Sequence, residues 1–345
     1  MHLEELSNAI GVSGEEDDVR SIILPAIRDH VTDINVDALG NLTAIQRGTV
    51  HPDYIVMIAA HMDEVGMMVT AVDANGLIQF TNVGGLDPRI LPGLRVTVGA
   101  QRSPGVILWK PIHLGRDMKT VAMDNLRIDV GAGDKSAARP GDRIAFASSF
   151  ARLNDKVLRG KAFDDRVGCS ILIDILQAGP YPVTIAAAFT VQEEIGLRGA
   201  KVAAERLGPD AAIVLEGTYA YDVPDPNREA DAGDLPGNPG TRFGGGAVIT
   251  LSDRQMITDP RALAFLRETA EANDIAYQIK TMDGGGTDGG AIHIAQAGIP
   301  TMPISAPCRY IHTPTALLHL DDYENVLALS RAVLNRLSPR TFQRA

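Results

Sequence analysis

The chain has 345 residues, 45% hydrophobic and 22% charged, with 34 glycines and 20 prolines, which excludes a disordered, collagenous or coiled-coil protein and leaves room for two domains or one with an insertion. A formal charge of −11 with no run of Lys or Arg argues against a nucleic-acid or anionic-membrane surface. Two cysteines, Cys169 and Cys308, an acidic start (MHLEELSNAIGVSGEEDD) and no apolar stretch of about 20 residues together predict a soluble cytoplasmic protein without a disulfide framework or membrane span.

Ser13, followed three residues later by Glu16, has capping-box spacing, and Val19, Ile22, Ile23, Ala26, Ile27 and Val31 then recur as on one face of a helix. Three short apolar runs end in polar residues: Tyr54 to Ala60 before His61, Val183 to Val191 before Glu193, and Ala211 to Leu215 before Glu216. Continuous apolarity suits strands buried on both faces of a mixed, mainly parallel sheet. Helical stretches are predicted over Arg166 to Gln177, Arg198 to Arg206, Pro260 to Asn273, Asp288 to Ala297 and Asp322 to Leu337, giving an α/β fold. Between about Met67 and Val157, short β-like runs broken by turns predict a small inserted β domain, and the Pro-, Gly- and Asp-rich segment 223–246 predicts a long loop.

The chemically dense positions are His61 and Asp63 (AAHMDEVG), Asp164 and Asp165 (GKAFDDRVG), Glu193 and Glu194 (TVQEEIGLRG), Glu216 (VLEGT) and His312 (RYIHTP). Each follows an apolar run or lies in a turn, and in open α/β sheets ligands gather outside the carboxyl ends of the strands. Two imidazoles and three carboxylates suit a pair of zinc-like ions sharing one bridging carboxylate, with a further Glu left to act as a base. Singly, each signal also has a structural reading. Either histidine can be a hydrogen-bonded core residue, Asp164 and Asp165 can cap the following helix, and Glu193 and Glu194 can be a solvated strand end.

HMDEVG, GKAFDDRVGC, EEIGLRGA, GGTDGGAIH and RYIHTP occur in the order found in the glutamyl aminopeptidase family of dinuclear metallopeptidases, which includes the tetrahedral aminopeptidases, and the chain resembles that family over nearly its whole length. The resemblance implies that His61 and Glu216 bind a first metal, that Asp164 bridges both, and that Glu194 and His312 hold the second. It implies Glu193 as general base and Asp63 as the residue orienting His61. Many relatives have Asp where Glu216 stands. The resemblance also implies a cis peptide between Asp164 and Asp165, a catalytic domain of residues 1–66 and 158–345, and an inserted β-barrel at 67–157 for dimerisation and as a lid.

The expected cofactors are two divalent ions per subunit, zinc or cobalt, with manganese able to accept the same ligands. The expected partners are peptide substrates and further copies of the chain, as dimers assembling into a dodecamer, with no nucleic acid and no membrane. Thr287 and Asp288, in the glycine-rich run 283–290, are candidate substrate contacts, Asp288 also being placed to cap the next helix. Cys169 and Cys308 read as core residues, His113 as structural, and His293 and His319 carry no assigned role. The predicted activity is release of N-terminal residues from peptides. The alternatives are a related amidohydrolase acting on small N-acyl substrates and a catalytically silent peptide-binding or assembly protein. Glycosidase chemistry is set aside, because carboxylates committed to metal cannot form an acid and nucleophile pair.

Overall fold

A computed structural model describes residues 1–114, 120–131, 138–223, 240–281 and 285–344 of the protein. At its centre lie four parallel strands, Val183–Thr190, His51–His61, Ala211–Tyr219 and Thr301–Arg309, side by side in that order. Antiparallel strands extend both flanks: Leu42–Gln46 and Thr32–Val36 on one side, Ala316–His319, Val157–Gly160 and Ala151–Arg152 on the other. Ala247–Thr250 and Tyr277–Lys280 branch from Thr301–Arg309, completing an 11-stranded mixed sheet.

The apolar runs form central strands because both faces of each are covered. Val56, Ile58, Ala60, Ile185, Phe189 and Ile213 face a thick layer formed by helices Leu3–Asn8, Asp17–Ile27, Phe163–Ala178, Pro260–Ala272 and Leu320–Arg336. The alternate residues Met57, Ala59, Ala188, Ala212 and Val214 face a thin layer in which Ala200, Ala203 and Ala204 of helix Arg198–Leu207 pack. Small side chains on both sides let that helix approach closely, while the larger face supplies most of the apolar burial.

Between the strands ending at His61 and beginning at Val157, six strands close into a barrel: Gly66–Val72, Ile78–Val83, Ile128–Asp129, Ser103–Ile107, Arg95–Val98 and Arg143–Phe146. Met67, Val69, Ile78, Phe80, Val96, Val98, Ile107, Ile144 and Phe146 fill its interior. No helix among the described residues is long and apolar enough to cross a membrane.

The predicted helices Arg166 to Gln177, Arg198 to Arg206, Pro260 to Asn273 and Asp322 to Leu337 all form, within three residues of the expected bounds. The stretch from Asp288 to Ala297 keeps only the turn Gly289–Ile292: Ile292 and Ala295 still pack on the sheet, but Gln296 takes a left-handed φ of 53° and Gly298 one of 94°, which ends the helix. Most of the long loop, residues 224–239, lies outside the described residues, as do residues 282–284 of the glycine-rich run. The capping box at Ser13 does not form. Helix Asp17–Ile27 is capped at Glu16 without a side-chain bond, and the Ser13 hydroxyl is spent on Asp63, 50 residues away.

Candidate metal and active site

The site gathers where the parallel strands end. His61 is the last residue of its strand, Glu193 and Glu194 follow Val183–Thr190 in a turn, Glu216 lies within Ala211–Tyr219, and His312 follows Thr301–Arg309. Because the strand before Glu193 stops at Thr190, the two neighbouring glutamates escape strand alternation and both line one cavity. Asp164 reaches the same cavity from the kinked start of helix Phe163–Ala178. Its backbone packs so closely on the neighbouring strand that a Cβ on Gly217 would lie 2.9 Å from the Asp164 Cα, which is why only glycine fits after Glu216.

Asp164 stands between the two histidines. Its Oδ1 is 3.1 Å from Nε2 of His61, and its Oδ2 is 3.3 Å from Nε2 of His312. Nε2 of His61 also lies 3.5 Å from Oε2 of Glu216 and 3.9 Å from Oε2 of Glu193, while Nε2 of His312 lies 3.3 Å from Oε1 of Glu194. Two ligand-like groups result: His61 with Asp164 and Glu194, and His61 with Asp165 and Glu216. The Asp164–Asp165 peptide is cis.

The surrounding contacts fix these groups. Nδ1 of His61 is 3.1 Å from the Asp63 carbonyl oxygen and 3.4 Å from its Oδ1. The Asp63 carboxylate is fully buried and accepts from the amides of Glu193 at 2.9 Å and Glu194 at 3.2 Å and from the Ser13 hydroxyl at 2.6 Å. It therefore joins the His61 turn, the Glu193 turn and the N-terminal segment in one knot. Asp165 accepts from the amide of Gly168 and from that of His61, so the helix-capping reading holds for Asp165 and not for Asp164. On the far side, Nδ1 of His312 meets the carbonyl oxygen of Gly85 at 2.9 Å, a contact supplied by the barrel.

Electrostatically the cluster is short of positive charge. Burial pushes the Glu193 and Glu194 carboxyls up and raises Glu216 to about 8. Burial also raises Asp164, but hydrogen bonds from His312 and His61 outweigh it and hold that carboxyl well below the usual range. Burial opposes charge on both imidazoles, yet the carboxylates around them win: His61 is raised well above its ordinary value and His312 to about 11. Oε1 of Glu194 and Oε1 of Glu216 are buried without a hydrogen-bond partner among the described residues. Oε1 of Glu194 faces Nε2 of His312, and Oε1 of Glu216 belongs to the carboxylate whose Oε2 faces His61, so unpartnered buried acceptors beside imidazoles fit cations held between them.

Thr287 lines the cavity. Asp288 is buried behind it, accepts from the Thr190 hydroxyl through Oδ2, and makes no side-chain cap to the helix it precedes, its backbone already being helical (φ −50°, ψ −23°) where a capping residue is extended. His113 is exposed and does not line the cavity. His319 caps the last helix, and His293 bonds Gly289. Cys169 and Cys308 are buried and unpaired. Lys280, Thr218, Gln255 and Gly85 all meet the site, and none carried a sequence signal, because each belongs to an element ordinary in sequence and brought there only by the fold. A larger cleft of about 750 Å³ lies at the opposite ends of the strands, near Tyr54, Asp210 and Thr301, and holds none of the candidate site residues.

Comparison with known proteins gives one consistent answer. Residues 40–329 match the model of the family described as M42 glutamyl aminopeptidase. A putative aminopeptidase of Acetivibrio thermocellus is 35% identical, the match covering 95% of this chain and 96% of that protein. The solved TET aminopeptidase of a marine-sediment Thaumarchaeota archaeon is 34% identical with a TM-score of 0.89, covering 98% of this chain and 97% of that one. The Pyrococcus horikoshii TET1 peptidase, described as assembling into a tetrahedron or a large octahedral shell, is 32% identical with a TM-score of 0.83, covering 97% of this chain and 98% of that one.

Proposed function

We propose that this chain, which belongs to the M42 glutamyl aminopeptidase family and is a peptide-bond hydrolase, releases N-terminal residues from peptides with two divalent metal ions and a glutamate base. The observation that carries the reading is the placement of Asp164, one carboxylate oxygen toward each histidine, with Glu216 and Glu194 completing the two sides. His61, Asp164 and Glu216 would hold one ion, and Asp164, Glu194 and His312 the other. Bound there, zinc or cobalt ions would polarise the scissile carbonyl and acidify the attacking water. Glu193, close to His61 but 3.9 Å away, is the carboxylate left to take the proton from that water and pass it to the leaving amine. Asp63 would keep both glutamates in register through their backbone amides and the His61 ring through its Nδ1. Glu216 comes within 3.5 Å of His61 from within its strand, which supports it as a ligand of the first ion.

The experiment that tests this reading is hydrolysis of aminoacyl substrates with free and with N-acetylated amines by metal-reconstituted protein. Turnover of the free-amine series alone is the expected result. Turnover of the acetylated series would instead favour an amidohydrolase for small N-acyl substrates, and metal-loaded protein inactive on both would sink the enzymatic reading.

The same proposal assigns residues 1–66 and 158–345 to a catalytic domain and 67–157 to an inserted domain that serves dimerisation and covers the site. Gly85 on His312, and the exposed Trp109 and Leu114 of the barrel region, support it. Self-association into dimers and larger shells follows, and sedimentation should find no monomer at micromolar concentration. A stable monomer would remove the assembly from the proposal.

A further inference from the structure

The fold pairs the other lysine and arginine that it buries beside this site. Lys161 and Arg166 both reach Oε1 of Glu64, and their remaining donors go to the backbone carbonyls of Leu6, Ala9 and Met62. Lys280 breaks that pattern. It ends the strand Tyr277–Lys280, is buried, and donates to the Thr218 hydroxyl at 2.8 Å while standing over the Tyr219 ring at 4.5 Å. Among the described residues no carboxylate lies within 4.0 Å of its ammonium, which carries three donors and has one protein acceptor. Glu216, Asp253 and Asp164 attract it through space without pairing with it, and a buried cation with no carboxylate in contact is costly unless a ligand supplies one.

The ammonium faces the space where that ligand would lie. Lys280 lines the same cavity of about 240 Å³ as Glu193, Glu194, Glu216 and His312, a volume that holds one amino-acid side chain and little more. Thr218, to which Lys280 is tied, follows Glu216 by two residues on one strand, so both point to the same face about 6.6 Å apart. The carboxylate wall thus suits metal and the free amine of a peptide, and the Lys280 ammonium lines the same cavity.

We propose that Lys280 is the specificity residue of this site, pairing with the side-chain carboxylate of the substrate's first residue, so that peptides beginning with an acidic residue are the preferred substrates. This rests on the aminopeptidase reading above and adds the substrate class. Family membership does not decide it, since relatives carry both glutamyl and lysyl aminopeptidase names. The competing role for Lys280 is to offset the negative charge of Glu216 and its neighbours, and that role would treat all substrates alike.

The test compares glutamyl-, leucyl- and lysyl-p-nitroanilide with metal-reconstituted wild type, Lys280→Met and Lys280→Glu. Wild type should favour the glutamyl over the leucyl substrate in kcat/KM by about tenfold or more, the cost expected when one partly buried charge pair is lost. Lys280→Met should lower that ratio at least tenfold, chiefly through KM for the glutamyl substrate, and Lys280→Glu should turn the preference toward the lysyl substrate. The ratio is taken within one preparation, so a partly unfolded variant does not distort it. Wild type preferring the leucyl or lysyl substrate would overturn the inference and leave the aminopeptidase reading intact, as would Lys280→Met slowing all three equally. Metal-loaded wild type cleaving none of them would overturn both.

Discussion

Glu193→Gln is expected to lower kcat by about 100- to 10,000-fold, the usual worth of a positioned general base, while KM and the bound metal content change little. The two neighbouring glutamates differ in what they touch. The Oε1 of Glu194 stands 3.3 Å from Nε2 of His312, buried and without a hydrogen-bond partner among the described residues, which supports it as a member of the ligand set. Glu193 comes no closer than 3.9 Å to His61, and burial, together with the nearby Glu216 and Asp288, pushes its carboxyl well above the ordinary glutamate value. The Asp63 carboxylate pins its backbone amide at 2.9 Å, which holds the side chain beside the ligand set. Glutamine keeps the shape and loses the basicity. Measuring kcat and metal content on the same sample separates the roles. Metal lost together with activity would make Glu193 a ligand, whereas Glu194→Gln is the variant that should release metal.

Much of this arrangement is legible in the sequence because the central strands are. Runs such as Tyr54 to Ala60 and Val183 to Val191 are apolar on both faces, which only strands covered by helices on both sides can be, and the polar residues that end them fall at one edge by construction. The short β runs between Met67 and Val157 likewise foretell the barrel. Contacts made across the fold leave no such trace. Ser13 has the spacing of a helix cap, and only tertiary structure diverts its hydroxyl to Asp63. Gly85 orients His312 through a backbone carbonyl, a group every residue possesses. Lys280 ends an edge strand whose local sequence is unremarkable, and its importance comes from what lies opposite. The paired aspartates show the limit most clearly. A helix cap and a candidate ligand are both predicted there, and the fold gives the cap to Asp165 and aims Asp164 at the histidines.

Removing metal should make stability fall as pH rises, in a window where the metal-loaded protein stays nearly level. In the metal-free fold Glu216 is raised to about 8, while in the unfolded chain a glutamate loses its proton near 4.3. Between those values the fold holds a proton that the unfolded chain has released, so stability declines with rising pH. The histidines act in the same direction. His61 is raised and His312 is raised to about 11, so the stabilisation from their charged pairs is complete below about 6.5 and drains away as pH climbs toward the folded value. Asp164 is lowered, and the stability it contributes is lost only in acid, outside this window. These groups are buried and strongly interacting, so the combined loss between pH 6 and pH 9 is expected on the order of a few kcal/mol. Two divalent ions replace those protons as the balancing charge, and saturating metal adds about 3 kcal/mol or more by mass action alone. Urea unfolding of chelated and metal-loaded protein at pH 6, 7.5 and 9, at one protein concentration, measures both. Parallel pH profiles for the two forms would mean that metal does not bind among these carboxylates, and the assignment of His61, Asp164, Glu194, Glu216 and His312 as ligands would fall with it.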